Sequence, residues 1–120
     1  PANVESLFLP DKKRSAYVFQ TFLYASIVCR KLREKGSDLR VAPSLLYIHR
    51  AAAEDYSPVV QLKESYNKTT PVEDFSLLEE EFRTRLQALL EEIFNPDLSF
   101  SQTEEEDRCT YCDFKEICKR

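Results

Sequence analysis

Two long stretches of helical periodicity frame two short apolar runs along the chain. The first helix is predicted over Ser15 to Glu34, SAYVFQTFLYASIVCRKLRE. Ser15 is placed as its N-cap, Arg30, Lys31 and Arg33 load its last turns with positive charge, and Gly36 stops it. Between Ala16 and Cys29 the segment is apolar almost all round, which predicts a buried helix. Gln20 is its one strongly polar interior residue. Tyr24 lies one turn further along the same face, with Tyr17 and Ile27 flanking the pair. A buried amide left unpaired costs about 1–3 kcal/mol, so Gln20 is expected either to brace the core or to line a site.

The second helix is predicted from Asp74 to Phe94, where Phe75, Leu78, Phe82, Leu86, Leu89 and Ile93 recur at three- and four-residue steps and Asn95-Pro96 ends the pattern. Thr70-Pro71 with Glu73, and Ser76 with Glu79, both resemble capping boxes at its start. Between the helices, residues 39–53, LRVAPSLLYIHRAAA, read as a strand covered on both sides. The following SPVVQLKES reads as a second, edge strand, because Pro58 removes a ladder donor. Asn67 to Val72 is then a loop. Residues 1–14 read as a linker or loop, 15–98 as a helix–strand–helix core and 99–120 as a cysteine-rich tail. The expected class is α+β, two main helices packed on one or two strands.

At 120 residues and 42% apolar content the chain can bury one core and is too short for two ordinary domains. One Gly against six Pro excludes a glycine-rich phosphate loop or a Rossmann turn. A net charge of -4 gives no general attraction to nucleic acid, so any DNA contact must be local. No apolar run approaches membrane-spanning length, and PANVESLFLP lacks a basic region followed by a hydrophobic signal core. The expected location is cytoplasmic, away from membranes. Pro1, followed by the short VESLFL segment, gives the look of a chain excised mid-fold.

The candidate chemistry concentrates at the end. Cys109, Cys112 and Cys118 form a C-x2-C-x5-C array in CTYCDFKEICKR. Thiolates are soft ligands for iron–sulfur clusters or zinc, and the two-residue gap lets both sulfurs reach one centre. Four ligands are the norm, and the tail holds no fourth Cys or His. Crowding of three cysteines at one end suits a reducing compartment better than disulfides. Cys29 lies nine residues after Gln20, about 180° round the helix, and reads as a small core residue. Glu79, Glu80 and Glu81 point in successive directions and read as a solvated face with a Glu81–Arg85 pair. Glu104, Glu105 and Glu106 read the same way. Asp11 and Lys13 make a D-x-K pair in a polar turn just before the first helix, where a solvated helix start is the simpler reading. His49 ends an apolar run and is assigned no role.

QTFLYA resembles the Q-x-x-x-Y motif that follows the catalytic strands in the RecB-like branch of the PD-(D/E)xK nuclease superfamily, and CTYCDFKEIC resembles the terminal cysteine array of its AddB-type members. The order of the two motifs makes the combination more specific than either alone, and the resemblance covers nearly the whole chain. It implies a restriction-endonuclease-like fold and a DNA nuclease with magnesium or manganese at its active site. It further implies that Gln20 and Tyr24 help position the metal site and the DNA backbone. The family's Gly-x-x-Asp and (Asp/Glu)-x-Lys strands find no counterpart before Gln20, and Asp11 and Lys13 stand too close to the helix to be the second of them. The resemblance therefore implies a C-terminal part of such a nuclease, inactive by itself.

By the same resemblance, Cys109, Cys112 and Cys118 would hold a 4Fe-4S cluster in the intact parent, with its first cysteine far upstream and zinc as the competing metal. The cluster would staple the domain's ends and contribute to folding rather than to bond cleavage. Repair or recombination of DNA, and a helicase subunit or domain as partner, follow as expectations. Two other classes stay open: a freestanding zinc- or iron–sulfur-binding interaction module, and a scaffold with incidental cysteines.

Overall fold

The computed structural model describes residues 1–10, 14–65 and 68–119. Ser15 caps the first helix, α1 (Ala16–Glu34), by accepting the Val18 N–H on its hydroxyl at 3.3 Å. At the other end Gly36 takes a φ of 66°, a left-handed value that glycine adopts freely. The amides of Ser37 and Gly36 then return to the carbonyls of Leu32 and Arg33, which satisfies two of the carbonyls a helix end leaves open.

The second long helix, α2 (Ser76–Ile93), starts differently from either expected capping box. Phe75 precedes it with no side-chain cap, and Asp74 Oδ1 accepts the Ser76 N–H at 3.0 Å. The predicted apolar stripe is real only over its first half. Phe75 and Phe82 are fully buried, Leu78, Leu86 and Leu89 are half-buried, and Ile93 is exposed.

Between the helices the strands fall later than the apolar pattern predicts. Residues 39–53 hold no strand; Ser44 makes one isolated antiparallel bridge to Val59, and Ile48–Arg50 is a single 3-10 turn. Pro43 and Pro58 bring no N–H to this pairing, so only Leu45 N–H to Pro58 O and Val60 N–H to Pro43 O form around the bridge. The apolar run beyond it is uncovered, and Ile48 is 83% exposed. Tyr56 closes this loop: its hydroxyl accepts the Tyr47 N–H and donates to Leu45 O, both at 2.7 Å.

The sheet itself is a hairpin of β1 (Gln61–Ser65) and β2 (Lys68–Pro71), antiparallel, in the register Gln61–Pro71, Leu62–Thr70 and Lys63–Thr69, with an irregularity before Ser65–Lys68. The strand expected after Pro58 is thus present, but the expected loop over 67–72 is mostly β2. Thr69 and Thr70 are β-branched and gain cross-strand partners, including a Thr69 hydroxyl to Gln61 Oε1 bond of 2.7 Å. Pro71 sits at the strand's last position, where its missing donor matters least.

The core joins α1, α2, the hairpin and the N-terminal segment. Its buried residues are Val18, Phe22, Ala25 and Cys29 of α1, Val60 and Val72 beside the hairpin, Phe75 and Phe82, and Val4 and Leu7. The last two come from the stretch expected as a linker, which instead folds a 3-10 turn at Glu5–Leu7 and tucks Leu7 fully inside. Phe82 is the hub, with ring centroids of Phe8, Phe19, Phe22 and Phe75 at 5.4, 5.6, 5.9 and 6.0 Å. Among the described residues nothing after Phe82 is buried. The radius of gyration, 17.4 Å, accordingly exceeds the roughly 13.6 Å of a compact chain this long.

Candidate functional site

Burial divides α1 into two faces, which corrects the expectation of a helix buried all round. Val18, Phe22, Ala25 and Cys29 point into the core, while Tyr17, Gln20, Tyr24, Ile27 and Val28 are exposed. Gln20 Nε2 donates to the Tyr24 hydroxyl across 3.1 Å, so the two residues form one hydrogen-bonded unit on the outer face. Tyr17, a flanking residue in the sequence reading, joins them and is the most exposed aromatic of the helix at 67%. Its one-turn spacing from Gln20 carries that signal.

This unit can recognise an oxyanion. With the tyrosine oxygen accepting from Gln20, the phenolic O–H is left to donate outward, and the second amide hydrogen of Gln20 is a further donor. Neither residue supplies an anionic ligand for a hard cation. Among the described residues no group of three or more His, Cys, Asp or Glu side chains converges to hold a metal ion. Asp11 and Lys13 lie outside the described residues. A groove of about 750 Å³, lined by Arg40, Leu62, Pro71, Val72 and Leu77 among others, sits beside the hairpin and touches neither Gln20 nor Tyr24. His49 sits edge-on to Tyr47 at 6.2 Å.

The tail brings its cysteines together in sequence but not around one centre. Cys109 ends a 3-10 turn (Glu106–Cys109), and the Cys112 N–H donates to Cys109 O at 3.1 Å, the chain reversal that the C-x2-C spacing predicts. Cys118 closes the short helix α3 (Lys115–Cys118), and the Gln102 amide donates to its carbonyl at 3.2 Å. All three are half-buried free thiols. Their softness fits iron or zinc, but three donors leave one position to another ligand. Cys29 does not supply it. Cys29 is buried on the core face of α1, and burial pushes its thiol up, against a smaller opposing pull from Arg33 and with a further push from Asp74.

The acidic runs divide. Glu81 accepts from Arg85 Nε at 3.0 Å, as the i,i+4 spacing predicts. Glu79 departs from the expected solvated face: it is 8% exposed and paired with Arg33 of α1.

Two long helices and a small antiparallel hairpin make an α+β fold, with the Gln20–Tyr24 pair displayed on the outer face of the first helix. The model of the PD-(D/E)XK nuclease superfamily matches residues 8–119, and the chain belongs to that superfamily. Comparison with curated proteins and with solved structures finds no match. Nucleases of this superfamily generally use magnesium or manganese, and their substrate class points to DNA binding. No described helix is long and apolar enough to cross a membrane.

Proposed function

We propose that this chain is the C-terminal portion of a metal-dependent DNA nuclease of the RecB/AddB-like kind, an exonuclease of DNA repair or recombination in the cytoplasm, acting beside a helicase subunit or domain. The observation that carries the reading is the Gln20–Tyr24 hydrogen bond on the exposed face of α1, inside the segment that matches the superfamily. Its outward donors are suited to hold a phosphate oxygen of the strand being cut. Divalent ions, when bound, supply the activation of water and the stabilisation of the leaving oxygen in phosphodiester hydrolysis. The carboxylates for those ions come from elsewhere in the intact protein, so the 120-residue chain alone is inactive.

Cys109, Cys112 and Cys118 are the tail's contribution to a 4Fe-4S cluster in that intact protein, with zinc as the competing metal. The exposed Phe100, Tyr111, Phe114 and Ile117 around them favour a second reading, a metal-binding module whose tail docks a protein. The discriminating experiment incubates the protein at its full encoded length with linear DNA and magnesium or manganese. Metal-dependent cleavage that drops with Gln20→Ala supports the nuclease. Absence of cleavage with tight metal retention by the tail supports the docking module.

A further inference from the structure

Four basic residues crowd the end of α1, with Arg30, Lys31 and Arg33 in its last turns and Lys35 as the C-cap just past Glu34, and they fall into two pairs. Arg30 and Arg33 each face a carboxylate: Arg30 Nε lies 3.9 Å from Glu34, and Arg33 is paired with Glu79. Lys31 and Lys35 have no ion-pair partner among the described residues, and both are exposed. At about 100° per residue, the two lysines lie within about 40° of the direction shared by Gln20 and Tyr24, whereas Arg30 and Arg33 lie about 100° and 160° away. Glu34 is the only acid in α1, and Arg30 holds it. The helix macrodipole accounts for basic residues near a C-terminus. It does not account for their division into a carboxylate-paired set and a set aligned with the hydrogen-bonded pair.

We infer that Lys31 and Lys35 are phosphate-contacting residues that extend the Gln20–Tyr24 site along α1 and grip the backbone of a DNA strand. The inference rests on the nuclease reading above. From Gln20 to the C-cap Lys35 the axial span is about 22 Å, the length of about six phosphates on one strand. Lys31 and Lys35 stand about 6 Å apart along the axis, close enough to serve neighbouring phosphates. Ile27 and Val28 fill the turn between Tyr24 and Lys31, so the charge is set at one end of the track rather than spread along it. With a net charge of -4, the 120-residue chain offers no general attraction to a polyanion, so a contact made by this chain calls for a local patch.

The test is fluorescence anisotropy of a labelled 20-base-pair duplex, without divalent metal, titrated with the full-length protein at several salt concentrations. The Lys31→Gln/Lys35→Gln double variant is expected to flatten the plot of log affinity against log salt by about 1.8, at about 0.9 per phosphate contact. Its KM for cleavage is expected to rise. Lys31→Arg/Lys35→Arg should keep the wild-type slope, and Arg30→Gln should leave it unchanged. A double variant with the wild-type slope, or an equal loss from Arg30→Gln, overturns the inference while leaving the nuclease reading intact. A wild-type protein that neither binds nor cuts DNA overturns both.

Discussion

Arg33, near the end of α1, is paired through its guanidinium with the carboxylate of Glu79 in the first turn of α2, across 46 positions of sequence. Glu79 is the only buried charged residue among the described ones. The pair locks the two helices together on one flank of the phenylalanine cluster. Arg33→Ala would leave that carboxylate buried without its cation and is expected to lower stability by about 1–3 kcal/mol, read from urea unfolding. Glu79→Gln keeps a hydrogen-bonding partner for Arg33 and should lose less. Equal stability of Arg33→Ala and wild type would mean that solvent reaches Glu79 well enough to replace the arginine.

Phe82 is fully buried and meets four other phenylalanine rings. Truncation to alanine removes those contacts and opens a cavity where α1, α2 and the N-terminal turn converge. Phe82→Ala is expected to destabilise by about 3–5 kcal/mol. Ile93→Ala, on the same stripe but exposed, should change stability by less than about 0.5 kcal/mol. Chemical denaturation of the two variants side by side checks where the stripe stops being core.

Asp74 links the start of α2 to pH. Hydrogen bonds from Ser76, side chain first and backbone second, hold its carboxyl below the ordinary carboxylate range, with a smaller pull from Arg40 at 3.8 Å. A carboxyl depressed by folding contributes stability that is full above its unfolded value, near 3.9, and is lost as pH falls through the folded value. Asp74→Asn should therefore lower Tm at pH 7, with the gap from wild type narrowing as the pH drops below about 4. A gap that stays constant from pH 7 to pH 3 would show that the charge contributes nothing.

Tyr24→Phe removes an exposed hydroxyl and the acceptor of the Gln20 amide. Stability should change by no more than about 0.5 kcal/mol. DNA cleavage by the full-length protein should fall by about tenfold or more, equivalent to at least about 1.4 kcal/mol of transition-state stabilisation. Activity unchanged beside unchanged stability would leave the pair as a surface ornament of α1. The 120-residue chain by itself should show no turnover with magnesium or manganese. Cleavage lost on changing Asp11 or Lys13 would give that pair a catalytic role.

Metal content is the readout for the tail. Anaerobic purification of the full-length protein is expected to yield iron and sulfide that are lost in Cys112→Ala, with visible absorption lost alongside them. The 120-residue chain should hold a cluster only weakly, sensitive to oxygen and chelators, because three thiolates leave one iron without a protein ligand. Stoichiometric zinc without iron in the full-length protein would make the tail a zinc clip. An intact four-iron cluster in the short chain would bring Cys29 back as the fourth ligand.

Local chemistry was sufficient wherever near neighbours in the chain decide the structure. Ser15 and Gly36 bound α1, Cys29 falls on the core face, and Gln20 meets Tyr24, because capping, the left-handed stop and the one-turn helical repeat are all set within a few residues. The same holds for the Glu81–Arg85 pair and the Cys109–Cys112 reversal. Apolar content alone could not say which parts of α1 and of residues 41–48 would find cover. That depends on which segments arrive from a distance: Phe82 and Leu7 cover one side of α1, while nothing among the described residues covers Tyr17, Tyr24 or Ile48. Strand position, likewise, was decided by pairing across the hairpin, since Thr69 and Thr70 become a strand only with β1 alongside, while Pro43 opposite Val60 and Pro58 opposite Leu45 each withhold an N–H from an earlier ladder. Glu79 reads as a surface acid in sequence and becomes a buried one only because folding carries Arg33 to it, a charge pairing that no local pattern encodes.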